Sequence, residues 1–461
     1  MQKIAKRKED MTQGPFLKKI ILFAIPLILT GVLQQLYNAA DLVVVGMFDG
    51  QVALAAVGAT GSLTNLVIGL FMGLSVGAGV CVAQYIGAKR YEDVRKVIHT
   101  SLLLALFLGV AICIVAYIFA PHLLRMMDTP ETIIEHATRY IRIVFMGFPA
   151  LMVYNYSAAM LRSSGDAKHP LMFLAVSGIV NVMLNVVLVA VFHLGVAGVA
   201  IATITAQYLS AIMVICHMMR ADNYMKLSIC EFKIHKSKLK KILYIGIPSG
   251  IQGSLFSFSN VLIQSSINSF GDTVIAGSAA AANLENFIYI AMNALYHVSL
   301  TFIGQNIGAK TYHNIKKITW RCLLVVAILG LSLGGLIFLF RAPLINLYAP
   351  NNPLVMTEAV RRMSIICFSY FLCGMMEVFC GAMRAMGKSI TTMIISLCGA
   401  CGLRVFWILT VFRYFRSPEC VYLSYPVSWF LTNVCYLVFF LITVRALFRR
   451  QKNEMQIKES I

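Results

Sequence analysis

The sequence predicts an all-α integral membrane protein of twelve transmembrane helices, arranged as two pseudo-symmetric six-helix lobes. Three observations carry this expectation. The 461 residues are 59% hydrophobic and only 13% charged, far too apolar for a soluble fold. The apolar residues gather into twelve runs, near 18–45, 54–86, 97–119, 133–160, 171–192, 196–219, 241–268, 274–306, 319–340, 358–382, 390–412 and 422–447. Each run has the length of a helix rather than of the ~10-residue alternating strand of a membrane barrel. Finally, the chain repeats itself with a period near half its length.

The repeat rests on three anchors in the same order. Lys18-Lys19-Ile20 with Pro26 recurs as Lys240-Lys241-Ile242 with Pro248, an offset of 222. The stretch from Gln84 to Tyr91, with Ile86-Gly87-Ala88-Lys89 inside it, recurs from Gln305 to Tyr312 at an offset of 221. Arg162 and Gly165 recur as Arg384 and Gly387. Six helices per copy is an even number, so both copies enter the membrane from the same side, as in the parallel repeats of transporters. The expected organisation is an N-terminal tail over 1–17, a first lobe over 18–219, a basic linker over 220–240, a second lobe over 241–447 and a C-terminal tail over 448–461.

Net charge is +20, which by itself would admit a nucleic-acid partner, but the basic residues follow a membrane topology instead. Lys3, Lys6, Arg7, Lys8, Lys18 and Lys19 precede the first run, and Lys89, Arg90, Arg95 and Lys96 follow the second. Six lysines between Lys226 and Lys241 fill the linker, and Arg445, Arg449, Arg450 and Lys452 follow the twelfth run. All of these fall on one side, so the positive-inside rule places both termini in the cytoplasm and the chain as a multi-pass protein of the inner (cytoplasmic) membrane. The polar MQKIAKRKED start lacks a signal-peptide pattern, and the first run is expected to stay. The twelve cysteines show no metal-ligand spacing and read as small apolar side chains, with Cys420 the one expected to be reactive.

The first run holds one acid, Asp41, and one internal proline, Pro26. At ~1.5 Å per residue a helix entering near Lys19 has crossed most of a ~30 Å hydrocarbon core before Asp41. Ionisable groups at such depth are costly and mark function, unless Asp41 sits at the far interface. Asn181 and Asn185 in the fifth run are four apart and share a helix face. They are either oxygen ligands or polar glue between helices.

On the first helix with Pro26 and Asp41, the paired Ile-Gly-Ala-Lys loops, and the Met160–Gly165 and Met383–Gly387 loops, the chain resembles the multidrug and toxic compound extrusion (MATE) family of the superfamily that also holds lipid-linked oligosaccharide flippases. The resemblance covers essentially the whole chain. It implies secondary active export of cationic or amphipathic organic compounds, by rocking alternating access, in antiport with protons or sodium ions. It identifies Asp41 with the family's cation-coupling acid and Asn181 and Asn185 with its partners, and it gives Pro26 the role of a hinge. It implies no cofactor beyond the coupling ion, a monomer, and small organic substrates and the bilayer as partners. Some members carry a glutamate in helix seven, where this chain has only Gln252, Phe256 and Asn260, so an essential acid there is not expected.

Further polar residues lie at membrane depth. Glu285 is read either as lining a cavity on the outer side or as an interfacial acid. Arg404 lies near the midplane and is expected to have a partner, with Glu377 the candidate, while the resemblance also sets Glu377 about a turn from where some relatives place a second-lobe acid. Gly69, Gly73, Gly77 and Gly79 suit close helix packing. Gln34, Tyr37, Asn38, Tyr154, Phe256, Tyr289 and Met292 are candidates for a substrate cavity, for which soft and aromatic side chains suit flat cations. For each, the ordinary helix core is the competing reading. An enzyme is not expected, since neither an aspartate-rich metal motif nor a Ser/His/Asp constellation appears, and a missing Walker A sequence argues against a nucleotide-driven pump. A polysaccharide or lipid-linked oligosaccharide flippase is the alternative. It would be expected to line its cavity with several cationic side chains, where the sequence places Arg404 alone at midplane depth.

Overall fold

A computed structural model describes residues 11–48, 50–127, 130–350 and 352–459, which are helical apart from short connections and contain no strand. Lys3, Lys6, Arg7 and Lys8 lie outside the described residues. The helices are α1 (Phe16–Phe48), α2 (Gly50–Gly87), α3 (Tyr91–Met126), α4 (Glu131–Met146), α5 (Phe148–Ser163), α6 (Lys168–Val186), α7 (Gly195–Met219), α8 (Lys236–Asn268), α9 (Asp272–Gly308), α10 (His313–Leu339), α11 (Arg341–Asn346), α12 (Pro353–Ile366), α13 (Tyr370–Ala385), α14 (Ser389–Ser396), α15 (Leu403–Leu409), α16 (Val411–Tyr414) and α17 (Pro418–Glu459).

Every one of the twelve apolar runs is helical. Ten spans among the described residues are long and apolar enough to cross a membrane, and the bent pair α4 and α5 makes an eleventh. The pair bends by 47° between Met146 and Phe148. Pro149, at the start of α5, explains the break: it has no N–H to continue the ladder and its ring crowds the preceding turn. The remaining helix, α8, has 33 residues, enough to span, but Ser249, Gln252, Ser254, Ser257, Ser259 and Asn260 dilute its apolar character. Two helices contain a π-helical turn, Val187–Val191 after α6 and Leu397–Gly402 after α14. Such turns widen the hydrogen-bond register and often flank functional residues.

The internal repeat extends to the backbone. Lys89 and Lys310, 221 residues apart, both adopt left-handed φ, at 56° and 57°. After α2, Arg90 N–H donates to Tyr85 O at 2.9 Å, and after α9, Thr311 N–H donates to Asn306 O at 3.0 Å. Left-handed caps normally use glycine. A lysine there costs ~1–2 kcal/mol but places its charge at the negative end of the helix dipole. The second pair of turns matches as well: Gly165 and Gly387 have φ of 92° and 78°, and Asp166 N–H and Lys388 N–H close onto Leu161 O and Met383 O at 3.0 and 2.9 Å.

The chain forms two compact units. Among the described residues, the first comprises those within 29–86 and 90–250, and the second those within 11–28, 87–89 and 251–459. The sequence repeat divides at the 220–240 linker, whereas the units divide inside helices. α1 passes from the second unit to the first after Ile28, and α8 from the first to the second after Gly250. Each change of unit comes two residues after a proline, Pro26 and Pro248, which lie inside continuous helices.

Within the first unit, α2 packs on the first half of α8 through glycine. A Cβ on Gly73 would overlap the Gly250 backbone, one on Gly77 the Ile242 carbonyl, and one on Gly246 would lie 2.8 Å from Leu74 Cα. On another side of α2, a Cβ on Gly79 would lie 2.9 Å from Ser163 Oγ. Gly335 in α10 has open space instead. Alanine raises helix propensity by ~1 kcal/mol over glycine where it fits, and overpacking costs ~1–3 kcal/mol where it does not. Gly335→Ala is therefore expected to hold or raise the melting temperature of the detergent-purified protein, and Gly73→Ala to lower it. Equal shifts for both would remove the packing role of Gly73.

Candidate functional site

In the first unit, three helices bring one carboxylate and three neutral polar side chains together. Asn185 Nδ2 donates to Asp41 Oδ1 at 2.5 Å and Thr203 Oγ to Asp41 Oδ2 at 3.3 Å. Asn185 Nδ2 also lies 3.4 Å from Asn181 Oδ1, and Asn181 Nδ2 lies 3.5 Å from Thr203 Oγ. Thr203 Oγ has Val199 O at 2.9 Å as well, so one hydroxyl hydrogen is shared between a carboxylate and a carbonyl. Asn181 and Asn185 are buried at 4% and 0% exposure, and Asn185 Oδ1 is a buried acceptor without a donor. Among the described residues no cationic side chain pairs with Asp41.

The sequence explains the positioning. Asn181 and Asn185 are one turn apart on α6, immediately before the π turn at Val187–Val191. Thr203 lies one turn after Val199 on α7. An apolar cluster of Val44, Val45, Ala53, Val57, Val189, Val196 and Val199, with Tyr140 against it, packs on the same stretches of α1, α6 and α7. The result is a set of hard oxygen atoms, one of them charged, beside a dry apolar wall. Oxygen donors of this kind suit a small hard cation, and the unsatisfied Asn185 Oδ1 is the atom such a cation would satisfy. Thr203 escaped sequence reading because an isolated threonine in an apolar helix ordinarily bonds its own preceding turn, as this one also does.

Elsewhere in this unit the residues proposed as cavity lining divide. Gln34 and Asn38 are exposed, on the α1 face that leads to Asp41. Tyr37 lays its ring on Gly178, where a Cβ would collide with it, and its hydroxyl lies 3.3 and 3.4 Å from the carbonyls of Leu174 and Ala175. Tyr154 is 4% exposed with its hydroxyl donating to Pro170 O at 3.0 Å. Tyr154 therefore belongs to the packed core rather than to a cavity wall, because its one polar atom is already spent on backbone.

The second unit holds two polar networks. Arg384 donates through one terminal nitrogen to Tyr296 Oη at 2.7 Å and through the other to Gln252 Oε1 at 2.8 Å. Gln252 Nε2 donates onward to Ser396 Oγ at 3.0 Å, and Ser396 and Tyr436 share a 2.7 Å hydrogen bond. Gln252 thus stands in α8, the seventh apolar run, as a neutral acceptor for a buried guanidinium. Glu377, one side of α13, lies within electrostatic reach of Arg384 and Tyr289 and has no side-chain hydrogen bond among the described residues. Tyr289 is partly exposed, and Phe256 is half-buried. Met292 is 0% exposed, its thioether closing on Gly374, so it is core between α9 and α13 and not a pocket wall.

Two expectations are corrected in this unit, at Glu285 and at Arg404. Glu285 is packed inside the protein rather than lining an open cavity: Arg362 grips it with Nε at 2.9 Å and a terminal nitrogen at 2.7 Å, while its other terminal nitrogen donates to Ser278 Oγ at 2.8 Å. Both partners are buried, at 3% and 6% exposure. Arg404 is partnered not by Glu377 but by Ser428 Oγ at 2.9 Å and by the faces of Tyr425 and Trp429, at 4.3 and 5.5 Å. A guanidinium can stack on aromatic rings while hydrogen-bonding at its edge, which makes a carboxylate unnecessary. Among the described residues three guanidinium groups are buried, those of Arg362, Arg384 and Arg404, where the sequence singled out Arg404 by depth, and each is held by protein side chains. Cys420 is buried at 7% exposure, against the expected reactivity.

A multi-pass helical membrane protein with two copies of one helical pattern, and a carboxylate held by amide and hydroxyl donors in one copy, has the construction of a transporter. The MatE family profile matches the chain twice, over residues 26–187 and 248–409, displaced by the 222 residues of the internal repeat, and the chain belongs to that family. Among curated proteins it is similar to "Probable multidrug resistance protein YoeA" of Bacillus subtilis, 27% identical over 89% of this chain and 90% of the relative. It is also similar to "Multidrug export protein MepA" of Staphylococcus aureus, 21% identical over 82% of this chain and 83% of the relative. Among solved structures, one of a multidrug resistance MATE family transporter in an outward-facing conformation shares the fold, with a TM-score of 0.90 and 20% identity, covering 96% of this chain and 99% of the other.

Proposed function

We propose that this protein is a cation-coupled exporter of cationic or amphipathic organic compounds, with Asp41, Asn181, Asn185 and Thr203 as its coupling site and proton or sodium as the coupling ion. The observation that carries the reading is the Asp41 cluster: a carboxylate without a cationic partner among the described residues, beside a buried amide oxygen that lacks a donor. Names of the relatives support the cargo class, since YoeA and MepA are named for multidrug resistance and multidrug export. The cycle is an exchange of access by rocking, in which loading Asp41 with the coupling cation from outside removes its attraction for a cationic drug. Pro26 supports a hinge role through its place next to the point where α1 changes unit. The protein would act as a monomer without a cofactor, in the cytoplasmic membrane with both termini inside.

The flippase alternative needs cationic groups available to a pyrophosphate. The three buried arginines of the second unit are engaged by Glu285, by Gln252 and Tyr296, and by Ser428 with two rings. The test is a liposome assay of the purified protein with a fluorescent organic cation under separately imposed proton and sodium gradients. Efflux driven by one of the two gradients is expected. No efflux under either, with movement of a lipid-linked sugar across the bilayer, would replace the proposal by the flippase.

A further inference from the structure

Away from the coupling site, the first unit gathers Asp166, His169 and His217, whose ligand atoms all lie within 4.8 Å of one another. Asp166 stands in the turn between α5 and α6, His169 in the first turn of α6 and His217 in the last turn of α7. Asp166 Oδ2 is 2.7 Å from His169 Nδ1, and Asp166 Oδ1 accepts the His169 backbone N–H at 3.2 Å. The two imidazole rings face each other at 4.1 Å between centroids with 31° between their planes, and Phe173 packs edge-on against His217 at 5.6 Å.

We propose that these three side chains form a site for a divalent transition metal, Zn²⁺ by the chemistry of its donors, with water in the fourth position. Two imidazole nitrogens and one carboxylate oxygen are a zinc donor set, and bonds of ~2.0–2.1 Å in a tetrahedron put ligand atoms ~3.3 Å apart. To reach that value the 2.7 Å contact between Asp166 and His169 opens and the wider spacings, none above 4.8 Å, close; His169, whose side chain is 42% exposed, has room to move, while Asp166 is held at 8%. The backbone of the turn is already fixed, by the left-handed Gly165 and by Asp166 N–H on Leu161 O. Metal would replace the proton shared by Asp166 and His169 and would tie the α5–α6 turn to the end of α7.

The second copy of the repeat lacks these ligands. Lys388 and Thr391 stand 222 residues after Asp166 and His169, on a turn with the same hydrogen bonds. The turn therefore folds without the three ligands, and they are an addition specific to the first copy. The site is independent of the transport reading, and its test does not use transport.

Full-length protein in detergent, stripped with chelator, is titrated with Zn²⁺ by calorimetry and with Co²⁺ by visible absorption, and its melting temperature is read with and without Zn²⁺. The expected result is one Zn²⁺ per chain, a tetrahedral Co²⁺ band, and a zinc-dependent rise in melting temperature. His169→Ala and His217→Ala each weaken binding at least ~tenfold, as loss of metal-site groups does. Their melting temperatures without metal stay close to that of the parent. His217→Cys, which keeps a zinc ligand, restores binding and adds a thiolate–Co²⁺ charge-transfer band. Absence of Zn²⁺ uptake by the parent, or uptake unchanged in the His169→Ala/His217→Ala double variant, overturns the proposal.

Discussion

Asp41→Asn is expected to insert and fold like the parent and to lose gradient-driven transport. The substitution nearly keeps the shape and retains one acceptor oxygen next to Asn185 and Thr203, but it turns the other oxygen into an amide donor and removes the only formal charge of the cluster. A unit charge attracting a cation at ~4 Å is worth ~4 kcal/mol at an effective dielectric constant near 20, which at ~1.4 kcal/mol per tenfold is on the order of a thousandfold in cation affinity. Fluorescence of a transported dye in proteoliposomes, compared at equal protein incorporation, measures the loss. Thr203→Val and Asn185→Leu are expected to weaken transport less, because each removes one neutral oxygen from a site whose charge remains. Asn185→Leu carries an added structural cost, since Asn185 is fully buried and bonded to Asp41. If Asp41→Asn transports at the parental rate, coupling does not run through the first unit, and Glu377 becomes the next acid to test.

The largest loss of stability is expected at Glu285 and Arg362. Both are buried, and the pair is bidentate, with Ser278 taking the remaining terminal nitrogen. Replacing one member of such a pair strands the other charge in an apolar setting, at a cost of ~3–5 kcal/mol, whereas replacing both with apolar residues of similar size is often close to neutral. Glu285→Leu and Arg362→Met alone should each reduce the yield of monodisperse protein and lower the melting temperature, and the double variant should recover most of the loss. Size-exclusion profiles and thermal scans in one detergent decide this. A double variant no better than the worse single variant would mean that Arg362 acts mainly through Ser278 and the rings of Tyr422 and Tyr425, 5.6 and 5.8 Å from its guanidinium.

Much of the architecture was legible in the linear sequence because its determinants are linear. Apolar runs of spanning length have few alternatives to helices when no water is present to satisfy the backbone. The repeat was visible in Pro26 and Pro248, in Lys89 and Lys310, and in Gly165 and Gly387, since these positions answer to local backbone demands that recur with the copies. Asp41, Asn181 and Asn185 could be selected because polar groups stand out in an apolar background, and the one-turn spacing of the asparagines is a property of a single helix.

What belongs to pairs of distant side chains had to come from the tertiary structure. Thr203 joins Asp41 across 162 residues, Arg362 meets Glu285 across 77, and Arg384 meets Gln252 across 132. None of these pairings leaves a spacing signal, because each depends on which helix faces lie together. For the same reason Arg404 found Ser428 and two aromatic faces rather than the acid that depth alone suggested, and Met292 and Tyr154 were sealed in the core although their chemistry would have suited a pocket. Composition and periodicity set the helices and their duplication. Whether a buried polar group is a ligand, a brace or a filler is decided by its neighbours, because desolvation penalises such a group unless the packing offers it a partner.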